Sequence, residues 1–281
     1  MNYQHAFHAG NFADVFKHAV LARILVHLCE KPQAFRVLDT HAGSGVYNLE
    51  GARASRTGEW RDGIARVMEK PPSGEAGELL APYLAAISSL NAGGKLKRYP
   101  GSPQLALALM REQDRLIACE LEPKASVALA NHLRKDKRAK ADEMDGWQAL
   151  SAYLPPPERR GLVVIDPPFE DRDEFEKLVN GLALGQRKWA TGTHLIWYPI
   201  KGTSTAAFLR SLHKLAIPKV LRTELYVRSA SADAFTGSGL IVVNPPWRLA
   251  DELRVLLPAL HTLLSQGRGS RTLVEVIGHK F

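Results

Sequence analysis

Six short apolar runs constrain what this chain can fold into: residues 35–38, 116–119, 162–165, 195–198, 220–227 and 240–243, three of them followed at once by Asp39, Glu120 and Asp166. Helical periodicity fills the stretches 102–112, 124–135, 173–184 and 205–215. Runs apolar at consecutive positions read as strands covered on both faces, whereas half-exposed strands alternate. Buried strands alternating with helices predict an α/β, Rossmann-like fold, a mainly parallel, doubly wound sheet. Ligands bind such sheets at the edge where the strand ends converge.

Ahead of the first run, residues 11–29 read as a helix, with Asn11 as its cap and Phe12, Val15, Phe16, Ala19, Ala22 and Val26 on one apolar face. One spacing breaks the rhythm. Glu120 lies 75 residues past Gly45, where a dinucleotide-type fold needs about 20. The excess predicts an insertion, a small helical subdomain at 50–95 set into a core of 1–49 and 96–281. Within it, 61–69 and 78–89 read as helices separated by Pro71, Pro72, Gly74 and Gly77. Such an insertion either caps a site, grips a partner or decorates the surface.

The 281 residues are 45% apolar and 23% charged, ordinary globular values that exclude a disordered, collagenous or membrane-embedded chain. Cys29 and Cys119 are the two cysteines and form no CxxC pair, so neither a disulfide framework nor a cysteine zinc site is expected. The N-terminal stretch lacks an apolar core behind a basic start, and Asp14, Lys17, His18 and Arg23 interrupt any span. The expectation is a soluble, cytoplasmic protein with no membrane partner. The net charge of +8 permits a polyanionic partner without requiring one.

Four motifs carry chemistry. In VLDTHAGSG, 37–45, Asp39 and the pair Gly43 and Gly45 form a turn that lets backbone approach a ligand. Val46, Tyr47 and Asn48 follow with no third glycine, which weakens a nicotinamide-dependent oxidoreductase. Glu120, at a strand end, suits the two hydroxyls of a ribose. Asp145 and Gly146 form a turn shortly before the next strand, where the carboxylate can take an exocyclic amine, although Asp-Gly is also an ordinary turn pair. The sharpest signal is LVVIDPPF: Asp166 offers an acidic acceptor, Pro167 and Pro168 rigid free carbonyls, and Phe169 a stacking face. Together they suit a planar exocyclic amine. Asn244, Pro245, Pro246 and Trp247 repeat that pattern, but on a last strand expected to run antiparallel, so Trp247 reads as core or edge packing.

With these motifs in order, the chain resembles S-adenosylmethionine-dependent class I methyltransferases of the adenine-N6 type. The strings at 3–18, 39–47, 99–103, 166–169 and 244–247 resemble the bacterial 23S ribosomal RNA adenine-N6 methyltransferases of the RlmJ type, over essentially the whole chain. The resemblance implies that His18, His41, Ser102, Glu120, Asp145, Gly146 and Asp166 contact the methyl donor or its pocket, with Lys17 as companion. It implies Asp166 as the catalytic acceptor and Tyr3 as an RNA contact. Phe169 stands where the family often has Tyr, so stacking survives but a phenol hydrogen bond does not.

His5 and His8 lack carboxylate or cysteine company at ligand spacing, so no metal is expected. His18 and His41 read as neutral donors shaping the pocket. For RNA, the basic segment 132–140 and the spots Lys95, Lys97, Arg98, Arg159 and Arg160 are candidate contacts. A DNA adenine methyltransferase shares the chemistry but lacks here a second large target-recognition segment. A non-catalytic RNA-binding assembly factor on the same fold would leave Asp166 idle. The partner expected is 23S ribosomal RNA, and the chain is taken to act as a monomer.

Overall fold

The computed structural model describes residues 5–171, 173–201, 204–229 and 235–278. In chain order the elements are a 3-10 turn (His5–Phe7), α1 (Phe12–Cys29), β1 (Arg36–Asp39), β2 (Val46–Asn48), α2 (Ala52–Thr57), a second 3-10 turn (Glu59–Arg61), α3 (Ile64–Glu69), α4 (Gly74–Ser89), β3 (Arg98–Pro100) and α5 (Ser102–Leu109). There follow β4 (Arg115–Glu120), α6 (Pro123–Leu133), β5 (Ala139–Glu143), α7 (Gly146–Tyr153), β6 (Gly161–Ile165), α8 (Glu174–Lys188) and β7 (Thr193–Ile200). The chain closes with α9 (Ser204–Lys214), β8 (Lys219–Tyr226), β9 (Gly237–Val243), α10 (Leu249–Leu264) and β10 (Arg271–Gly278).

Eight strands form one sheet in the order β10-β8-β9-β7-β6-β1-β4-β5. The five strands from β5 to β7 are parallel. β8 shares their direction, because β7 and β8 both pair antiparallel with the intervening β9. The last strand, β10, lies antiparallel at the edge beside β8. β5 and β10 had no apolar run to announce them. β5 reads AKADE, which an edge strand with one neighbour tolerates.

Side chains alternate between the faces. Along β6, Leu162 and Val164 join one apolar cluster while Val163 and Ile165 join the other, the two-residue period of a strand. α1, α4, α5, α6 and α10 build on the first cluster, and α7, α8 and α9 on the second.

Asn11 caps α1, its side chain accepting from the amides of Ala13 and Asp14 at 3.0 Å each. The helix is not one-sided as its sequence suggests. It is buried all round, Lys17, His18, Arg23 and His27 included, because α4, α5 and α10 also pack against it. Arg23 and His27 both reach Glu252 of α10, at 2.8–3.0 Å.

The segment 50–95 leaves and re-enters through a two-stranded ribbon, β2 against β3. Its Ile64, Val67, Leu80, Tyr83 and Ile87 are buried in the same cluster as the sheet. Among the described residues no helix is long and apolar enough to cross a membrane.

Two surface expectations are corrected. Trp247 is 71% exposed rather than core, with the Arg248 guanidinium over its ring at 5.3 Å, because the Pro245-Pro246 turn carries it off the sheet. Arg138 and Arg160 are structural: Arg138 donates to the carbonyls of Leu107 and Met110 at 3.0 and 2.5 Å, and Arg160 to those of Leu28 and Gln33 at 2.5 and 2.8 Å. Both tie down carbonyls at or just beyond the C-terminal ends of α5 and α1, which a helix leaves unpaired. Arg134, Lys135, Lys137 and Lys140 of the same basic segment remain exposed.

Candidate active site

β1 runs between β4 and β6, with Asp39 opposite Ala118 on one side and Val164 on the other. Parallel direction therefore leaves the residues after β1, the end of β4 and Asp166 at a common edge. A cavity of about 760 Å³ opens there. Lys17, His18, His41, Gly43, Ser102, Glu120, Asp145, Gly146, Asp166 and Pro167 all line it. Asp39, Gly45 and Phe169 do not, and Tyr3 lies outside the described residues.

The wall after β1 is built from backbone. Gly43 has φ +60°, and a Cβ on it would overlap the Tyr47 hydroxyl. Its amide donates to Glu120 Oε2 at 2.8 Å, and the Glu122 amide donates to Oε1 at 2.8 Å. Burial raises the Glu120 pKa, while these amides oppose the rise. The Gly45 carbonyl accepts the Gly101 amide at 2.8 Å, which fastens the 99–103 string to the glycine loop and sets Ser102 at the start of α5.

Asp145 follows β5 rather than preceding a strand. It caps α7, Oδ1 accepting from the amides of Trp147 and Gln148 at 2.7 and 3.2 Å. A Cβ on Gly146 would overlap the Thr40 carbonyl and come within 2.6 Å of the His41 ring, so only glycine lets α7 start this close to the loop. His41 is held by the Thr40 hydroxyl at 2.8 Å and meets Trp147 edge-on at 5.1 Å. His18 Nδ1 pairs with the Tyr99 hydroxyl at 2.8 Å, which meets that of Tyr83 at 2.9 Å. His18 Nε2 is buried with no hydrogen-bond partner. Burial lowers the His18 pKa to about 3, Lys17's charge adding to it, and lowers that of His41 to about 4. Both rings are therefore neutral at neutral pH.

A chain of charges runs in from the N-terminal turn. Asp14 Oδ2 takes His5 Nε2 at 3.0 Å and the Gly10 amide at 2.9 Å. Asp14 Oδ1 pairs with Lys17 Nζ at 3.0 Å, and Lys17 Nζ also bonds Asp166 Oδ2. Burial works against each charge, yet His5 and Lys17 hold the Asp14 carboxyl well below its ordinary range. Asp14 and Asp166 likewise hold the Lys17 ammonium above its own. The sequence pattern presented Asp14 as a charge interrupting an apolar stretch. Its signal was the i,i+3 pairing with Lys17 on an otherwise apolar helix.

Behind the cavity wall, Asp39 is 1% exposed and neither carboxylate oxygen makes a well-formed hydrogen bond. Burial lifts its pKa to about 7, Asp166's charge adding to the rise while the nearby Ser102 hydroxyl and Lys17 oppose it. Phe169, with φ +49°, is half-buried, its ring 4.9 Å from Phe175 and 5.4 Å from Trp197. His8 pairs with Glu59 of the inserted segment at 3.0 Å. Among the described residues no three His, Cys, Asp or Glu side chains converge as metal ligands.

A parallel sheet with one antiparallel strand inside it, a glycine-bearing loop after the central strand and acidic ends on both flanking strands define a class I methyltransferase, whose methyl donor is S-adenosylmethionine. Residues 32–277 match the family model described as "Ribosomal RNA large subunit methyltransferase D, RlmJ", and the chain belongs to that family. It is 41% identical over 280 residues to the ribosomal RNA large subunit methyltransferase J of Escherichia coli strain K12, covering 99% of each chain. The Haemophilus influenzae protein of the same name is 42% identical over 276 residues, 97% of each. A crystal structure of a Legionella pneumophila protein superposes with a TM-score of 0.87 at 35% identity, covering 95% of this chain and 98% of that one.

Proposed function

We propose that this methyltransferase transfers a methyl group from S-adenosylmethionine to the N6 amine of one adenine in 23S ribosomal RNA, in the cytoplasm and as a single chain. The observation that carries the reading is Asp166, presented to the cavity at the end of β6 and followed by two prolines whose nitrogens donate nothing.

The residues fit the donor. Glu120 suits its ribose hydroxyls and Asp145 its adenine amine, and Gly43, Gly45 and Gly146 allow close approach. The unpartnered His18 Nε2, with His41, Ser102 and Lys17, supplies polar contacts toward its amino-acid end. When bound, the donor supplies an electrophilic methyl on a sulfonium.

The chain's own residues then act on the acceptor. An adenine amine is a poor nucleophile because its lone pair is spread into the ring. Asp166 and the Pro167 carbonyl accept its two hydrogens, which favours a pyramidal nitrogen and stabilises the positive charge that develops there. Asp166, or water beside it, takes the proton once the new bond is made. Lys17 fixes the carboxylate's direction. Phe169 is assigned the stacking contact with the base, Tyr3 a contact to RNA, and Asp39 a supporting place under the Ser102 wall. The base must leave its stack, which costs least from a loop.

We further treat 1–49 and 96–281 as the catalytic core and 50–95 as an insertion. The test is transfer from labelled S-adenosylmethionine to protein-free large-subunit RNA taken from cells lacking this protein. N6-methyladenosine at one site is the expected product. Donor binding without label in RNA would refute the substrate.

A further inference from the structure

The inserted segment brings a cation to the mouth of the cavity. Arg53, on α2, lines it and is itself exposed. Of the other basic side chains there, Lys17 is ion-paired with Asp14 and Asp166, and Lys177 with Asp171 and Asp173 at 2.7 and 3.2 Å. Arg53 makes no ion pair or hydrogen bond among the described residues. Lys124, at the start of α6, is the other lining cation in that state. α2 is held in position, since the Thr57 hydroxyl bonds the Phe7 carbonyl and Gly58 closes the helix with φ +65°.

An unpaired guanidinium on the rim of a cavity rich in carboxylates is not placed for the protein's own acids. The polar end of a small donor is served from the buried floor, where His18 lines the cavity and its buried Nε2 has no hydrogen-bond partner. A nucleotide whose base enters the cavity leaves its phosphates at the rim, and the planar fork of an arginine matches phosphate oxygens two at a time. We infer that Arg53 binds an RNA phosphate adjoining the target base, so that the 50–95 insertion is a substrate-gripping element. The inference rests on the RNA reading above.

The experiment measures kcat, the RNA KM and equilibrium RNA binding at several salt concentrations, with the donor Kd measured separately, for the wild type, Arg53→Ala and Arg53→Lys. For Arg53→Ala the RNA KM rises about tenfold, with kcat and donor Kd unchanged. The slope of log affinity against log salt becomes shallower by about 0.7, the loss of one single-strand phosphate contact. Arg53→Lys restores the slope and part of the affinity. A wild-type salt slope in Arg53→Ala, or a raised donor Kd with unchanged RNA KM, overturns the inference. Wild-type protein that neither methylates nor binds RNA would overturn the substrate reading along with it.

Discussion

Two turns carry nearly the same sequence, Asp166-Pro167-Pro168-Phe169 after β6 and Asn244-Pro245-Pro246-Trp247 after β9, and they end on opposite edges of the sheet. β9 runs against β7, so Val243 pairs with His194 at the start of that strand, and Asn244 emerges at the edge away from the cavity. There its side chain is consumed: Nδ2 donates to the carbonyls of Ala190 and Gly192 at 2.8 and 2.9 Å. Asp166 meets Lys17 and the cavity instead. A motif acquires chemistry only where strand direction delivers it to a shared edge. The second turn is fastening.

Breaking the first turn gives the largest effect. Asp166→Ala lowers kcat for RNA methylation by about a hundred- to a thousandfold in steady-state assays, the usual cost of removing a preorganised group at the reacting centre. A loss under tenfold would mean the acceptor lies elsewhere. Lys17→Ala leaves Asp14 and Asp166 facing each other half-neutralised, and denaturant unfolding should show about 3–5 kcal/mol of lost stability, the cost of stripping one partner from buried charges.

At the opposite edge, Asn244→Ala removes both bonds and orphans the Ala190 carbonyl, the Gly192 carbonyl keeping His194, and costs about 1–3 kcal/mol in the same unfolding measurement, while kcat stays within twofold. If methylation instead collapsed with the fold intact, the contrast between the turns would be lost. Trp247→Ala marks the small end of the scale, shifting stability by under about 0.5 kcal/mol and leaving turnover alone.

Asp39 sharpens the comparison through pH. Its pKa is raised from 3.8 to about 7, so the folded chain keeps a proton that the unfolded chain has released. Its contribution is present below pH 3.8 and is lost as pH rises through about 7. Urea unfolding of Asp39→Asn beside the wild type should show the variant gaining on the wild type across that window, by at most about 1.4 kcal/mol per pH unit. A pH-independent difference would mean the carboxyl is solvated.

How much was legible depended on where each signal came from. Asp166, Glu120 and the glycine loop stood at the ends of apolar runs, and burial on both faces makes such runs unmistakable. β5 was missed because an edge strand can be polar, and with it went the correct setting of Asp145 as the cap of α7. Phe169 could be picked as an aromatic next to Asp166, but its packing against Phe175 and Trp197 depends on α8 and β7. Arg53 had no local mark at all.

The sequence by itself determined the fold class, the edge at which a ligand binds and the helix that supplies Lys17 and His18, because strand burial, helix capping and turn glycines are local and periodic. Tertiary structure decided which carboxylate each cation meets, which of two proline turns faces the cavity, and that the insertion reaches its rim. Those depend on chain direction and on contacts between residues far apart in sequence, His5 to Asp14 to Lys17 to Asp166, where no spacing rule applies.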